Sequence, residues 1–77
     1  MNDHNEIQLD DDATPTKGQK WVELCGWWRH VTEVIYDPNG RTIVVYDASR
    51  GNGIFQRRCS LKAWCFWAKS NRAKVVS

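Results

Sequence analysis

Two runs rich in β-branched and aromatic residues, 31–36 (VTEVIY) and 41–46 (RTIVVY), flank the tetrapeptide Asp37-Pro38-Asn39-Gly40. Such residues suit a pleated, half-buried surface. The tetrapeptide carries turn chemistry at each position. Asp37 accepts from nearby backbone N–H groups, Pro38 pre-sets φ, and Asn39 and Gly40 tolerate positive φ. The pattern predicts a hairpin closed by a type I turn with Gly40 in a bulge. In that register Ile35 faces Ile43 on one side, while Val34 faces Val44 and Tyr36 faces Thr42 on the other. Both faces are partly apolar, as expected of a small, curved, closed sheet.

The rest of the chain supplies shorter elements. Residues 21–24 alternate as a first strand, and Cys25-Gly26 breaks it. Residues 27–30 run into the hairpin. Trp27 and Trp28 are adjacent, and successive side chains of an extended strand face opposite sides. One of the two is therefore expected at the surface or rim. Residues 47–53 (DASRGNG) read as a polar, glycine-containing loop with Arg50 near its tip, and 54–59 as a strand with Arg57 and Arg58 on opposite faces. Ser60 fits a helix N-cap. Leu61, Trp64, Cys65 and Ala68 then fall at helical spacing, which predicts a helix over 60–69. Lys69 suits its C-terminal end, and 72–76 form a last strand. The fold class is mostly β: a single five-stranded barrel with one short helix before the last strand.

Charge divides the chain in two. Residues 1–16 hold Asp3, Glu6, Asp10, Asp11 and Asp12 without a Lys or Arg, whereas 17–77 hold eleven basic residues against four acidic ones, a net +7. This predicts a disordered acidic arm over 1–16 and a basic domain over 17–77. The arm is expected to lie transiently over the basic face and to compete with an anionic ligand. All five tryptophans lie between residues 21 and 67 of a chain with only three leucines. Large rings bury roughly 150–250 Å² each, so some must fill the core of so short a domain. Three cysteines, an odd number, argue against a disulfide framework, and no secretory signal or long apolar run is seen. Reduced thiols, a cytoplasmic location and no membrane role are expected.

Gly18-Gln19-Lys20-Trp21 at the first strand, Val31 and Val34 entering the hairpin, and Arg58-Cys59-Ser60-Leu61 followed by Trp64 and Trp67 together resemble small SH3-like barrels. The resemblance is to KOW- or Tudor-like barrels and to short phage or mobile-element proteins of that build, and it covers roughly residues 17–76. Gly26 has the place of the usual KOW glycine. The double tryptophan after it departs from that pattern, so no ribosome or polymerase role is carried over.

Catalytic motifs are absent: there is no G-x-S-x-G, no phosphate loop before a helix and no H-E-x-x-H. His30 and Glu33, three apart on a strand, are expected on opposite faces, so they make a poor base and orienter. Cys25, Cys59, Cys65 and His30 could ligate zinc in kind, but their spacings are not those of zinc sites. No enzymatic activity, metal, cofactor or small-molecule substrate is expected. Trp27, Trp28 and Tyr36 or Tyr46 could form an aromatic cage for a methylated cation. The stronger signal is a basic-aromatic face made of Trp27, Trp28, Arg29, Arg41, Arg50, Arg57, Arg58 and Lys62, with Phe55 among them. Basic groups release counterions from phosphates, and exposed rings stack on unpaired bases. The implied role is a small non-enzymatic regulatory module bound to nucleic acid. The alternative is a phage or mobile-element module that docks on a host protein complex, for example an anti-defence protein, since Trp and Arg anchor interfaces.

Overall fold

The structure, a computed structural model, describes residues 14–76. Five antiparallel strands form one sheet: β1 (Lys20–Val22), β2 (Trp28–Tyr36), β3 (Thr42–Arg50), β4 (Gly53–Ser60) and β5 (Lys74–Val75), with helix α1 (Leu61–Ser70) between β4 and β5. The strand order is β4-β3-β2-β1-β5. Strand count and helix position agree with the sequence. The sheet is open, with β4 and β5 as its edges. The acidic arm, but for residues 14–16, lies outside the described residues. Pro15 is buried, and the Thr16 N–H donates to Gln19 Oε1 at 2.7 Å.

The central hairpin forms in the register read from its turn. Tyr36 pairs with Thr42, Ile35 with Ile43 and Val34 with Val44. Asp37 Oδ1 accepts from the N–H groups of Asn39 (2.9 Å) and Arg41 (2.8 Å), and Gly40 takes φ +83°. A positive φ there costs glycine nothing and other residues strain. Further along, the register shifts between Val31 and Glu33. This bulge at Thr32 is covered locally, because the Thr32 hydroxyl donates to the Val45 carbonyl at 3.1 Å. The shift overturns one expectation. His30 pairs with Asp47 and Glu33 with Val45. Asp47 and Val45 are two apart on β3, so His30 and Glu33 share a face. Glu33 is engaged by Lys17, 3.2 Å away.

The predicted loop over 47–53 is also corrected. β3 continues to Arg50, and only Gly51 and Asn52 turn the chain. Gly51 alone of these two has positive φ (+53°), as a type II′ hairpin turn requires. The polar residues 47–50 pair with β4 because the ladder bonds backbone groups, whatever the side chains. The first strand is shorter than expected, ending at Val22.

The buried core is Trp21, Val31, Val44, Tyr46, Trp64, Trp67 and Ala68. α1 packs on β3 and β4. Its N-cap is Ser60, whose Oγ accepts from the Ala63 N–H at 3.1 Å, and Lys69 lies in its last turn. The helical stripe is displaced from the reading above: Trp67 is buried with Trp64 and Ala68, whereas Cys65 packs at the edge. Trp64 is the hub. Its ring centroid lies 5.6 Å from Trp21, 5.3 Å from Tyr46 and 4.9 Å from Trp67. The Nε1–H of Trp64 is buried without a hydrogen-bond partner.

Candidate nucleic-acid interface

A cleft of about 490 Å³ opens where β1 and β3 end and β2 and β4 begin, against the C-terminal end of α1. The turn between β1 and β2 brings Glu23 and Trp27 to its edge. Glu23 N–H donates to the Trp27 carbonyl (2.8 Å), Gly26 N–H to the Glu23 carbonyl (2.9 Å), and Gly26 takes φ +104°. Leu24 N–H donates to the Asn71 carbonyl, tying this turn to the helix end. Arg50, Phe55 and Arg57 line the other side.

Arg29 decides the character of the cleft. It is two residues before Val31 and pairs with Trp21, so it faces inward with the core. Its guanidinium lies 3.9 Å from the ring centroid of Trp67, 4.5 Å from that of Tyr46 and 5.4 Å from that of Trp64. The cation is thus held against aromatic faces, a favourable and orienting contact. No carboxylate among the described residues lies within 4.0 Å of it. Glu23, the carboxylate at the cleft, instead accepts from Trp67 Nε1 at 2.7 Å and Cys25 Sγ at 3.2 Å. Burial pushes the Arg29 pKa below its ordinary value and nearby Arg50 adds to this, while Tyr46, Cys59 and Glu23 act the other way. An arginine stays protonated regardless. The cleft therefore holds a half-buried cation whose N–H donors have no carboxylate among the described residues.

Five of the eight expected site residues converge here: Trp27, Trp28, Arg29, Arg50 and Arg57. Trp27 is the more open tryptophan, 39% exposed. Trp28 borders the cleft, yet its register places it with Lys20, Val22 and His30 on the outer face, and Lys20 Nζ sits 4.8 Å from its ring centroid. The other three lie elsewhere, so the expected single basic face is divided. Arg58 pairs with Val45 on the outer face, and Lys62 is exposed on the first turn of α1. Arg41 closes the other hairpin, at the far end of β3 from Arg50. Nine residues of strand separate them by about 30 Å.

The aromatic cage is corrected too. Tyr36 is 74% exposed and pairs at the Arg41 end of the hairpin, remote from Trp27. The rings that do enclose a cation are Tyr46, Trp64 and Trp67, and the occupant is the chain's own Arg29. Sequence reading missed Trp67 and Tyr46 as partners of Arg29. The signal was present in the two-residue parity of Arg29 with Val31 and of Tyr46 with Val44. Among the described residues no group of three His, Cys, Asp or Glu side chains could hold a metal ion, and the three cysteines form no disulfide with one another. No helix among them is long and apolar enough to cross a membrane.

Beneath the cleft, burial raises the Tyr46 and Cys59 pKa values, partly offset by Arg29. Both groups are thus favoured in their neutral forms by folding. Their contribution to stability is complete below the pH at which the unfolded groups ionise and is lost above it. The urea midpoint is expected to hold from pH 7 to about 8 and then fall, first near the free thiol value of about 8.5 and again near about 10 for phenol. Cys59→Ala should remove the first part of the fall. An unchanged alkaline profile in that variant would show that Cys59 does not couple to folding.

Comparison with known protein families, characterised proteins and solved structures finds no match to this chain.

Proposed function

We propose that the chain is a small non-enzymatic binding module, built on an SH3-like sheet, that associates with nucleic acid through the Arg29 cleft. The observation that carries this reading is the guanidinium of Arg29, oriented by three rings and without a carboxylate among the described residues, in a cleft that Arg50 and Arg57 also line. Such a group favours an anion of fixed geometry, and arginine forks match phosphate oxygens in pairs. Exposed Trp27 and Phe55 at the same cleft offer surfaces to bases. Binding to a fluorescent oligonucleotide is expected to weaken steeply with salt. Arg57→Ala should reduce the slope of log K against log salt by roughly 0.7–0.9, as loss of one phosphate contact does. Arg58→Ala, on the outer face of the same strand, should leave the slope within error. Equal slopes for both variants would reject the cleft as the phosphate site.

A second reading, docking on a host protein complex in the manner of an anti-defence module, is favoured by β4. This strand is an edge, with Ile54 and Phe55 exposed. An unpaired edge can accept a strand from a partner. Capture from a host lysate before and after nuclease treatment separates the readings: partners that survive nuclease favour protein docking, and partners lost with nuclease favour nucleic acid.

A further inference from the structure

The cleft has a floor that narrows its ligand class, and the inference drawn from it rests on the nucleic-acid reading above. Across the sheet, Arg29 of β2, Ala48 of β3 and Phe55 of β4 are directly paired and form one row. Directly paired residues share a face, and adjacent strands lie about 4.8 Å apart. The row therefore sets the backbones of Arg29 and Phe55 about 10 Å apart, with only the methyl group of Ala48 on the strand between them. Phe55 is 48% exposed, and its ring lies across Gly53: a Cβ added at Gly53 would meet Phe55 Cζ at 3.1 Å. The lack of a side chain at Gly53 is what lets the ring rest there. Trp27 borders the same space. At about 490 Å³ the cleft falls within the ~300–1,000 Å³ range of sites for a single small organic group.

We propose that the dip over Ala48 receives one unpaired nucleobase stacked on Phe55, with an adjoining phosphate on Arg29, so that the ligand is single-stranded nucleic acid. The reason lies in which surfaces are available. In a duplex the faces of the bases are covered by their neighbours, and only edges and backbone are offered to a protein. A phenyl ring that lines a cationic cleft has no use for those edges. An unpaired base exposes its face, and stacking on an aromatic side chain is tolerant of base identity. DNA and RNA single strands share this chemistry.

The test is fluorescence anisotropy with the full chain and labelled 12-mers of single-stranded DNA, single-stranded RNA and blunt duplex DNA at one low salt concentration. At least one single strand is expected to bind ten-fold or more tightly than the duplex, and the tighter of the two identifies the sugar. Phe55→Ala should weaken that binding by roughly 5- to 150-fold, the cost of one lost base stack, and leave duplex binding unchanged. Ala48→Leu should weaken it comparably by filling the dip while every charge is kept. Urea titration of each variant verifies folding. Duplex binding as tight as the tighter single strand, or single-strand binding indifferent to both substitutions, overturns this inference and leaves the broader nucleic-acid reading intact. Absence of binding to all three oligonucleotides rejects both.

Discussion

Trp64→Ala is expected to lower the urea midpoint sharply and to remove a large share of the domain's stability. Trp64 is fully buried and touches the rings of Trp21, Tyr46 and Trp67, so sheet and helix are joined through it. Truncating a buried aromatic costs about 3–5 kcal/mol through lost burial and the cavity left behind. A domain of this length has a total stability on the order of 4–10 kcal/mol, so one substitution removes a large share. Trp64→Phe should behave otherwise. It loses part of the ring, but it also removes the unpartnered buried Nε1–H, a group whose unmet hydrogen bond costs about 1–3 kcal/mol. These effects oppose, and the net loss should be under about 2 kcal/mol. Urea titration followed by far-UV circular dichroism reads both. If Trp64→Ala costs less than about 1 kcal/mol, the aromatic cluster does not hold the helix to the sheet.

Arg29→Met is expected to separate binding from folding. The guanidinium is half-buried without a carboxylate among the described residues, an arrangement that costs desolvation and recovers only part of it from the rings. Methionine has similar length and suits the three aromatic faces. Stability should therefore stay within about 1 kcal/mol of the parent or rise. Oligonucleotide affinity should fall by about 30-fold or more, consistent with the roughly 2 kcal/mol or greater cost of removing an interface anchor. Arg29→Lys should not restore it, because a point charge lacks the planar fork that the rings orient. The decisive outcome against this view is a variant that loses more than about 2 kcal/mol of stability yet binds as before. That result would make Arg29 a prop of the core and not a ligand group.

Much of the scaffold was legible because it is local. The register of the central hairpin follows from Asp37, Pro38 and Gly40, which fix the turn before any distant contact forms. The helix begins where Ser60 caps it, for the same reason. Arg29 could be named as a site residue from its type and its neighbouring tryptophans. What it contacts could not, since the rings around it come from β3 and α1, 17 to 38 positions later in the chain.

The bulge at Thr32 carries no glycine or proline to announce it, and it depends on a carbonyl supplied by β3. It alone decides that His30 and Glu33 share a face. The same holds for residues 47–50, polar enough to read as loop, which become strand because β4 offers a backbone ladder to them. The sequence by itself determined the turns, the cap, the strand count and the excess of basic charge outside the acidic arm. Only the tertiary structure decided that Arg29, Arg50 and Arg57 meet at one cleft while Arg41, Arg58 and Lys62 do not. Local chemistry specifies how a backbone bends, but strand parity, a one-residue bulge and the face of a helix specify which side chains meet, and each of those is fixed by partners far along the chain.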